Sequence, residues 1–250
     1  NLYIGNDTGW LHISSALGIK CLALFMDSPV QAYGKYSKNI EVIVPEGETE
    51  ETTTHDTLGA DNISFEKVLN VHLMGTVKPT KAVWEIMKEQ NYGRILVTSS
   101  SSGLYGNFGQ TNYGAAKLGL VGFMNTLKLE GQKYNVHVNA LTPVAYTRMT
   151  ANLMPPEAEN LLTPESVTPA AIYLVSDEAP NGTILCAGAG VYSVSKIMES
   201  DGLSLGLNAT AEDIINNWEK ISDFDKAKAY NMGGEQTGKV FEKAMETIEK

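Results

Sequence analysis

Apolar and polar positions change period along this chain, from short unbroken apolar runs to longer stretches with apolar residues three and four apart. That alternation predicts strands and helices taking turns. Near the start, Leu2-Tyr3-Ile4 and Cys21-Leu22-Ala23-Leu24-Phe25 read as short strands. Between them lies an apolar-periodic helix opened by Asp7-Thr8 and closed by Gly18, so the segment predicts a βαβ unit. Residues 45–56 are polar, acidic and without period, the pattern of a loop or linker. From Ile63, the positions Phe65, Val68, Leu69, Leu73, Thr76, Val83, Ile86 and Met87 suit a long helix, with a kink or break expected at Pro79.

The pattern is clearest in the middle of the chain. Gly93-Arg94-Ile95-Leu96-Val97-Thr98 reads as a buried strand running into Ser99 and Ser100, which puts hydroxyls at the carboxyl edge of a sheet. A helix over about 111–133 should turn Leu118, Leu120, Phe123, Met124 and Leu127 inward. Strands follow over about 136–141 and 183–187, the latter ending in Gly188-Ala189-Gly190, and residues 149–166 between them form a loop. Past Ser195, Thr210 is a plausible helix cap with Ile214, Ile215, Trp218 and Ile221 on one face, and Val240, Phe241, Ala244, Met245 and Ile248 mark a last amphipathic helix. The expected architecture is α/β: a three-layer, doubly wound, mostly parallel, Rossmann-like sheet of about six strands, with a helical C-terminal extension.

Composition narrows the classes. A hydrophobic fraction of 43% over 250 residues is enough for a sizeable core. The net charge of −10 opposes nucleic acid and anionic membrane surfaces, which leaves a small molecule as the expected partner and a homodimer as compatible. Cys21 and Cys186 are far apart, and His12, His55, His72 and His137 lack zinc spacing, so two reduced thiols and no metal are expected. No apolar run reaches the ~20 residues of a membrane span and no leader is recognisable, so the cytoplasm is the expected compartment.

Chemistry concentrates behind the serine run. Tyr113 and Lys117 stand four apart, so on a helix they share a face, and the Lys117 ammonium can favour ionisation of the phenol. By itself such a pair is as readily a surface packing and solvation pair. With Ser100, Asn107-Phe108-Gly109-Gln110 and Val138-Asn139-Ala140-Leu141-Thr142-Pro143, it resembles the short-chain dehydrogenase/reductase family. The runs Gly103-Leu104-Tyr105-Gly106-Asn107-Phe108-Gly109-Gln110 and Val71-His72-Leu73-Met74-Gly75-Thr76 are most similar to the (3R)-hydroxyacyl-CoA dehydrogenase units of peroxisomal-type multifunctional enzymes. The resemblance covers residues from about Val71 to the C-terminus. It implies hydride transfer between NAD or NADP and a 3-hydroxyacyl substrate. Tyr113 would be the general acid/base and Ser100 would polarise the substrate oxygen. Lys117 would lower the tyrosine pKa and bind the nicotinamide ribose. His72 would join a water-mediated relay or simply pack. Tyr113, Lys117, Pro143 and Thr147 would form the cofactor side, with Val144 in place of a more usual glycine.

A complete member of that family opens with a T-G-x-x-x-G-x-G turn, and none occurs here, so weak cofactor binding is expected. The run Asp7-Thr8-Gly9-Trp10-Leu11-His12 through Gly18, with Ala23-Leu24-Phe25, instead resembles the nucleotide-sugar half of the heptosyltransferase-like glycosyltransferases of family 9. That resemblance would place Asp7, Thr8, Gly9 and His12 at donor phosphates, while Asp7 and Thr8 are equally a plain helix cap. The expectation is a chimera: a βαβ unit over 1–69, the catalytic half of a dehydrogenase over 70–193 and a helical extension over 194–250. A weakened dehydrogenase, a nucleotide-sugar binding remnant and a folded inactive chimera all remain open.

Overall fold

Residues of the strand Gly93–Thr98 alternate between buried and half-buried, so both faces of the sheet it belongs to are at least partly covered. The computed structural model describes residues 2–6, 11, 15, 16, 18–24, 30–44, 49–51, 65–147, 150 and 154–248. They fall into two compact units, residues 1–194 and 195–250. In chain order the first unit contains β1 (Leu2–Asn6), β2 (Lys20–Leu24), α1 (Val30–Tyr33), β3 (Ile40–Ile43), α2 (Phe65–Leu69), a π-helical turn (Asn70–Met74) and α3 (Gly75–Glu89). Then come β4 (Gly93–Thr98), α4 (Ser101–Tyr105), α5 (Thr111–Gly131), β5 (Val136–Pro143), α6 (Thr168–Leu174), β6 (Ile184–Gly188) and β7 (Val191–Ser195).

Among the described residues the strands form two sheets, ordered β1-β2-β3 and β4-β5-β6-β7. Pairing is parallel between β1 and β2, β2 and β3, β4 and β5, and β5 and β6. The fold is the expected Rossmann-like α/β class, with seven strands among the described residues, in two sheets, in place of one sheet of about six. β7 was not foreseen. It follows β6 through Ala189 and Gly190, both at positive φ, the two-residue turn that a hairpin requires.

Three layers follow from the pleat. Val136, Val138 and Ala140 of β5 pack with Ile95, Val97 and Ile184 against Leu120, Val121 and Met124 of α5. Leu141, Leu185 and Ala187 pack with Ala170, Ala171 and Leu174 of α6 on the opposite side. Phe123 and Leu127 border the first cluster, whereas Leu118 is exposed, contrary to its expected inward direction, because it stands off the Leu120–Met124 stripe. Leu11, Cys21, Ala23 and Val30 form a separate cluster at the N-terminal sheet, and Gly18, at φ +74°, donates its N–H to the Ser15 carbonyl at 3.0 Å just before β2.

Pro79 does not break its helix. It lies inside α3 and leaves the Gly75 carbonyl without its helical N–H partner, yet Gly75–Glu89 runs through it as one segment. The irregularity sits one turn earlier, where Gly75 N–H donates back to the Asn70 carbonyl in the wide Asn70–Met74 turn.

The second unit contains α7 (Ala211–Asn216), α8 (Trp218–Ile221) and α9 (Gly233–Ile248). Thr210 caps α7 in a reciprocal box with Asp213, as its sequence indicates. Lys239 and Lys243 of α9 reach Glu199 and Asp201 and hold the incoming chain. Ile215, Trp218 and Phe241 are exposed, so the apolar faces anticipated for this unit are not covered by its own helices.

Asn139 ties the first unit together from inside. Fully buried in β5, it donates to the Pro180 carbonyl at 2.6 Å and accepts from Thr183 N–H at 3.0 Å, fixing the approach to β6. Asn139→Leu leaves both backbone groups unpaired in an apolar interior, and urea unfolding is expected to show a loss of about 3 kcal/mol. A loss under about 1 kcal/mol would contradict the role given to these bonds.

Candidate active site

The end of β4 and the start of α5 meet because glycine permits it. A Cβ on Gly103 in α4 would stand 2.8 Å from Lys117 Cβ and 2.8 Å from the Leu118 nitrogen, and one on Gly114 would stand 3.0 Å from the Ser102 carbonyl. With neither present, α4 and α5 touch backbone to backbone. Ser100 caps α4: its hydroxyl accepts from Ser102 N–H at 3.2 Å, which fixes its position at the carboxyl edge of the sheet. Tyr113 enters in the first turn of α5, with its phenol near enough to Ser100 for the serine hydroxyl to act on its pKa.

Lys117 follows one turn later and is buried, at 8% exposure. Its ammonium donates to the Thr98 carbonyl at 2.8 Å and lies 5.5 Å from the centre of the Tyr113 ring. Ser99 Oγ donates to the Lys117 carbonyl at 2.9 Å, so the strand end grips the helix at this residue as well. His72, carried by the π-helical turn, packs edge-on against Tyr113 with ring centres 4.9 Å apart and planes at 89°. The wide turn redirects the side chains of the helix at this point, a local irregularity often found at functional sites.

Every titratable group in this cluster is pushed toward its neutral form. Burial lowers Lys117 to about 8. Burial, with the Lys117 charge adding to it, lowers His72 to about 4. Burial raises the Tyr113 phenol above its ordinary value, and the Ser100 hydrogen bond only partly opposes that. The sequence expectation that Lys117 lowers the phenol pKa is therefore corrected: its ammonium is directed to Thr98 O, and desolvation of the phenol prevails.

Pro143 ends β5, and the chain beyond it is pinned by Val144 N–H donating to Ala187 O at 2.8 Å and Tyr146 N–H to Leu162 O at 2.6 Å. Thr147 N–H donates to Thr150 Oγ1 at 2.7 Å, and Thr150 Oγ1 donates to Ala145 O at 2.9 Å, closing a compact turn. Val144 sits against Gly188, where an added Cβ would come 3.0 Å from the Val144 Cβ and 2.5 Å from its carbonyl. Asp7, Thr8, Gly9 and His12 lie outside the described residues. The structure thus brings Ser100, Tyr113, Lys117 and His72 together and orders the segment of Pro143 and Thr147. Gln110 was given no role by sequence, yet its side-chain oxygen accepts from Ser102 Oγ at 2.7 Å and fastens the two helix starts together. Its place in the Asn107–Gln110 run was the only signal available.

Among the described residues no helix is long and apolar enough to cross a membrane. Comparison with known proteins gives the arrangement its context. Residues 30–158 match the short chain dehydrogenase family, a stretch that begins further upstream than the Val71 indicated by the sequence motifs. A Mycobacterium tuberculosis protein named as a short-chain type dehydrogenase/reductase is 47% identical over 166 residues, 66% of this chain and 58% of its own length. Mouse peroxisomal multifunctional enzyme type 2 is 43% identical over 182 residues, 71% of this chain and 25% of that enzyme. The structure of full-length peroxisomal multifunctional enzyme type 2 from Drosophila melanogaster superposes with a TM-score of 0.70 at 28% identity, covering 96% of this chain and 49% of that one. The chain thus spans between a quarter and three fifths of the length of these relatives. It belongs to the short-chain dehydrogenase family, as an oxidoreductase-type chain related to the peroxisomal multifunctional enzymes.

Proposed function

We propose that this chain transfers hydride between NAD or NADP and a 3-hydroxyacyl-CoA substrate. The observation that supports the reading most directly is the Tyr113 ring set against the buried Lys117 ammonium, 5.5 Å away and anchored to Thr98 O, with the Ser100 hydroxyl beside the phenol. It sets a proton donor and a polarising hydroxyl side by side at the carboxyl edge of a parallel sheet, where α/β folds bind ligands. The acyl-CoA assignment comes from the Gly103–Gln110 and Val71–Thr76 runs, which are similar to hydroxyacyl-CoA dehydrogenase units.

The residues present fit the nicotinamide end of the cofactor. An ammonium carries three donors and Thr98 O takes one, so Lys117 can also serve ribose hydroxyls, while Tyr113, Pro143 and Thr147 complete that side. NAD(P), when bound, supplies the hydride acceptor for oxidation and the donor for reduction. Ser100 donates a hydrogen bond to the substrate oxygen and holds it against the phenol. Tyr113 gives a proton to that oxygen in reduction and takes one in oxidation. Because burial holds its pKa up, the phenol is protonated at neutral pH and ready to give its proton, and its ionised, proton-accepting form grows as pH rises. His72 extends the cluster from the phenol through a neutral imidazole, which can both donate and accept a proton.

The phosphate end is different. No T-G-x-x-x-G-x-G turn is present in the sequence, and we expect cofactor affinity at least a hundredfold below that of a complete family member, since two charge-assisted bonds of roughly 1.5–3 kcal/mol each are lost. The competing reading, a nucleotide-sugar remnant or inactive chimera, rests on Asp7, Thr8, Gly9 and His12. It requires binding of a nucleotide sugar, or of neither ligand, without turnover, and titration of NAD⁺, NADP⁺ and a nucleotide sugar against the purified chain separates the cases.

Turnover of a 3-hydroxyacyl thioester at saturating cofactor is expected to fall about a hundredfold or more in Tyr113→Phe, the scale of losing a general acid/base. An unchanged kcat would rule out the assigned role. A second expectation concerns acid. The unfolded chain protonates His72 near 6.5 and the folded chain only near 4, so the unfolded state binds more protons between those values and stability falls as pH drops through them. At pH 4.5 this contributes a loss of roughly 2 to 3 kcal/mol relative to pH 7. His72→Asn should remove that part of the acid sensitivity in urea unfolding at the two pH values, and an identical pH dependence in the variant would contradict a buried neutral imidazole.

A further inference from the structure

Beyond Pro143, residues 144–147 belong to no helix or strand, so single hydrogen bonds hold the stretch that carries Thr147. Those bonds can be followed outward. Val144 N–H donates to Ala187 O of β6, and Tyr146 N–H donates to Leu162 O at 2.6 Å, so the place of Leu162 sets that of Tyr146 and of Thr147 beside it. Leu162 runs into a 3-10 turn, Pro164–Val167, whose last residue is buried with Ala170, Ala171 and Leu174 of α6. One side chain joins this turn to the sheet. Ser166 Oγ donates to the Thr163 carbonyl at 2.7 Å and accepts from Ala189 N–H, in the β6–β7 turn, at 2.9 Å. The Ser166 carbonyl accepts in addition from the Tyr192 phenol of β7 at 3.0 Å.

Ala189 presents its N–H from φ +51°, a left-handed conformation that disfavours any residue with a side chain. Such a residue persists only where its surroundings over-determine it, and the bond to Ser166 is one of the contacts that do so. We propose that Ser166 is a positioning residue for the cofactor side of the site. Its hydroxyl pins the Pro164–Val167 turn to the β6–β7 turn, which holds Leu162 where Tyr146 N–H reaches it and sets the Thr147 segment before a cofactor arrives. A segment already in place spares binding the cost of ordering it. The inference rests on the reading of Pro143 and Thr147 as nicotinamide-side residues.

The test is amide hydrogen exchange on the full chain, read residue by residue, followed by calorimetry with NAD⁺ and NADP⁺. Ser166→Ala removes both hydroxyl bonds, so exchange at Tyr146 N–H should quicken roughly tenfold, while Ala140 N–H, bonded to Thr183 O inside the sheet, should change less than about twofold. Ser166→Thr keeps the hydroxyl and should exchange like the wild type. Cofactor Kd should rise about fivefold in Ser166→Ala and return in Ser166→Thr. Unchanged exchange at Tyr146 would overturn the pin, and so would equal acceleration at Tyr146 and Ala140, which marks a general loss of stability. Faster exchange at Tyr146 with an unchanged Kd would overturn the positioning role. A wild-type chain that binds neither cofactor fails the nicotinamide-side reading itself, and the role given to Ser166 falls with it whatever the exchange shows.

Discussion

The close approach of α4 to α5 at Gly103 is the constraint on which the site depends. Were a side chain present there, it would meet Lys117 Cβ and the Leu118 backbone at 2.8 Å, and no rotamer of a neighbour could relieve a clash with main chain. Seating the two helices backbone to backbone lets Ser99 bond the Lys117 carbonyl, carries the Lys117 ammonium under the strand end to Thr98 O, and brings Tyr113 onto Ser100. A single packing condition therefore sets three candidate site residues at once. The Ser102–Gln110 bond, outside that contact, keeps the connecting turn from loosening it.

Seating a lysine, a histidine and a phenol in this junction has an electrostatic consequence. Lys117 falls to about 8 and His72 to about 4, while the phenol rises, each because burial disfavours its charged form. The cluster is poised to keep protons on the phenol and off the imidazole at neutral pH. Such an arrangement suits a reaction in which a proton passes to or from a substrate oxygen without a lasting ion in the pocket.

Much of this was legible in the sequence, and what was not has identifiable causes. The Ile95–Val97 run fixed β4 and hence the serine edge, and helical spacing placed Tyr113 and Lys117 on one face. The direction of the phenol shift was misjudged because spacing tells which groups are neighbours but not which carbonyl captures an ammonium. Pro79 was read as the weak point of its helix, whereas the irregularity lies at Asn70–Met74, since composition does not distinguish a wide turn from a regular one. β7 was missed because Val191-Tyr192-Ser193-Val194 is exposed and lacks the alternation that betrays a half-buried strand. The resemblance began later in the sequence motifs than in the family match, which starts at residue 30, because the motifs with recognisable chemistry lie beyond Val71.

The claim that Ser100 and Tyr113 act as one unit is tested most directly by a double-mutant cycle on turnover of a 3-hydroxyacyl thioester. Residues that handle the same proton lose their effect together, so Ser100→Ala combined with Tyr113→Phe should be within about tenfold of Tyr113→Phe alone. If the two losses instead multiplied in full, the serine and the tyrosine would be acting independently, and the account of a single proton-handling pair would be contradicted.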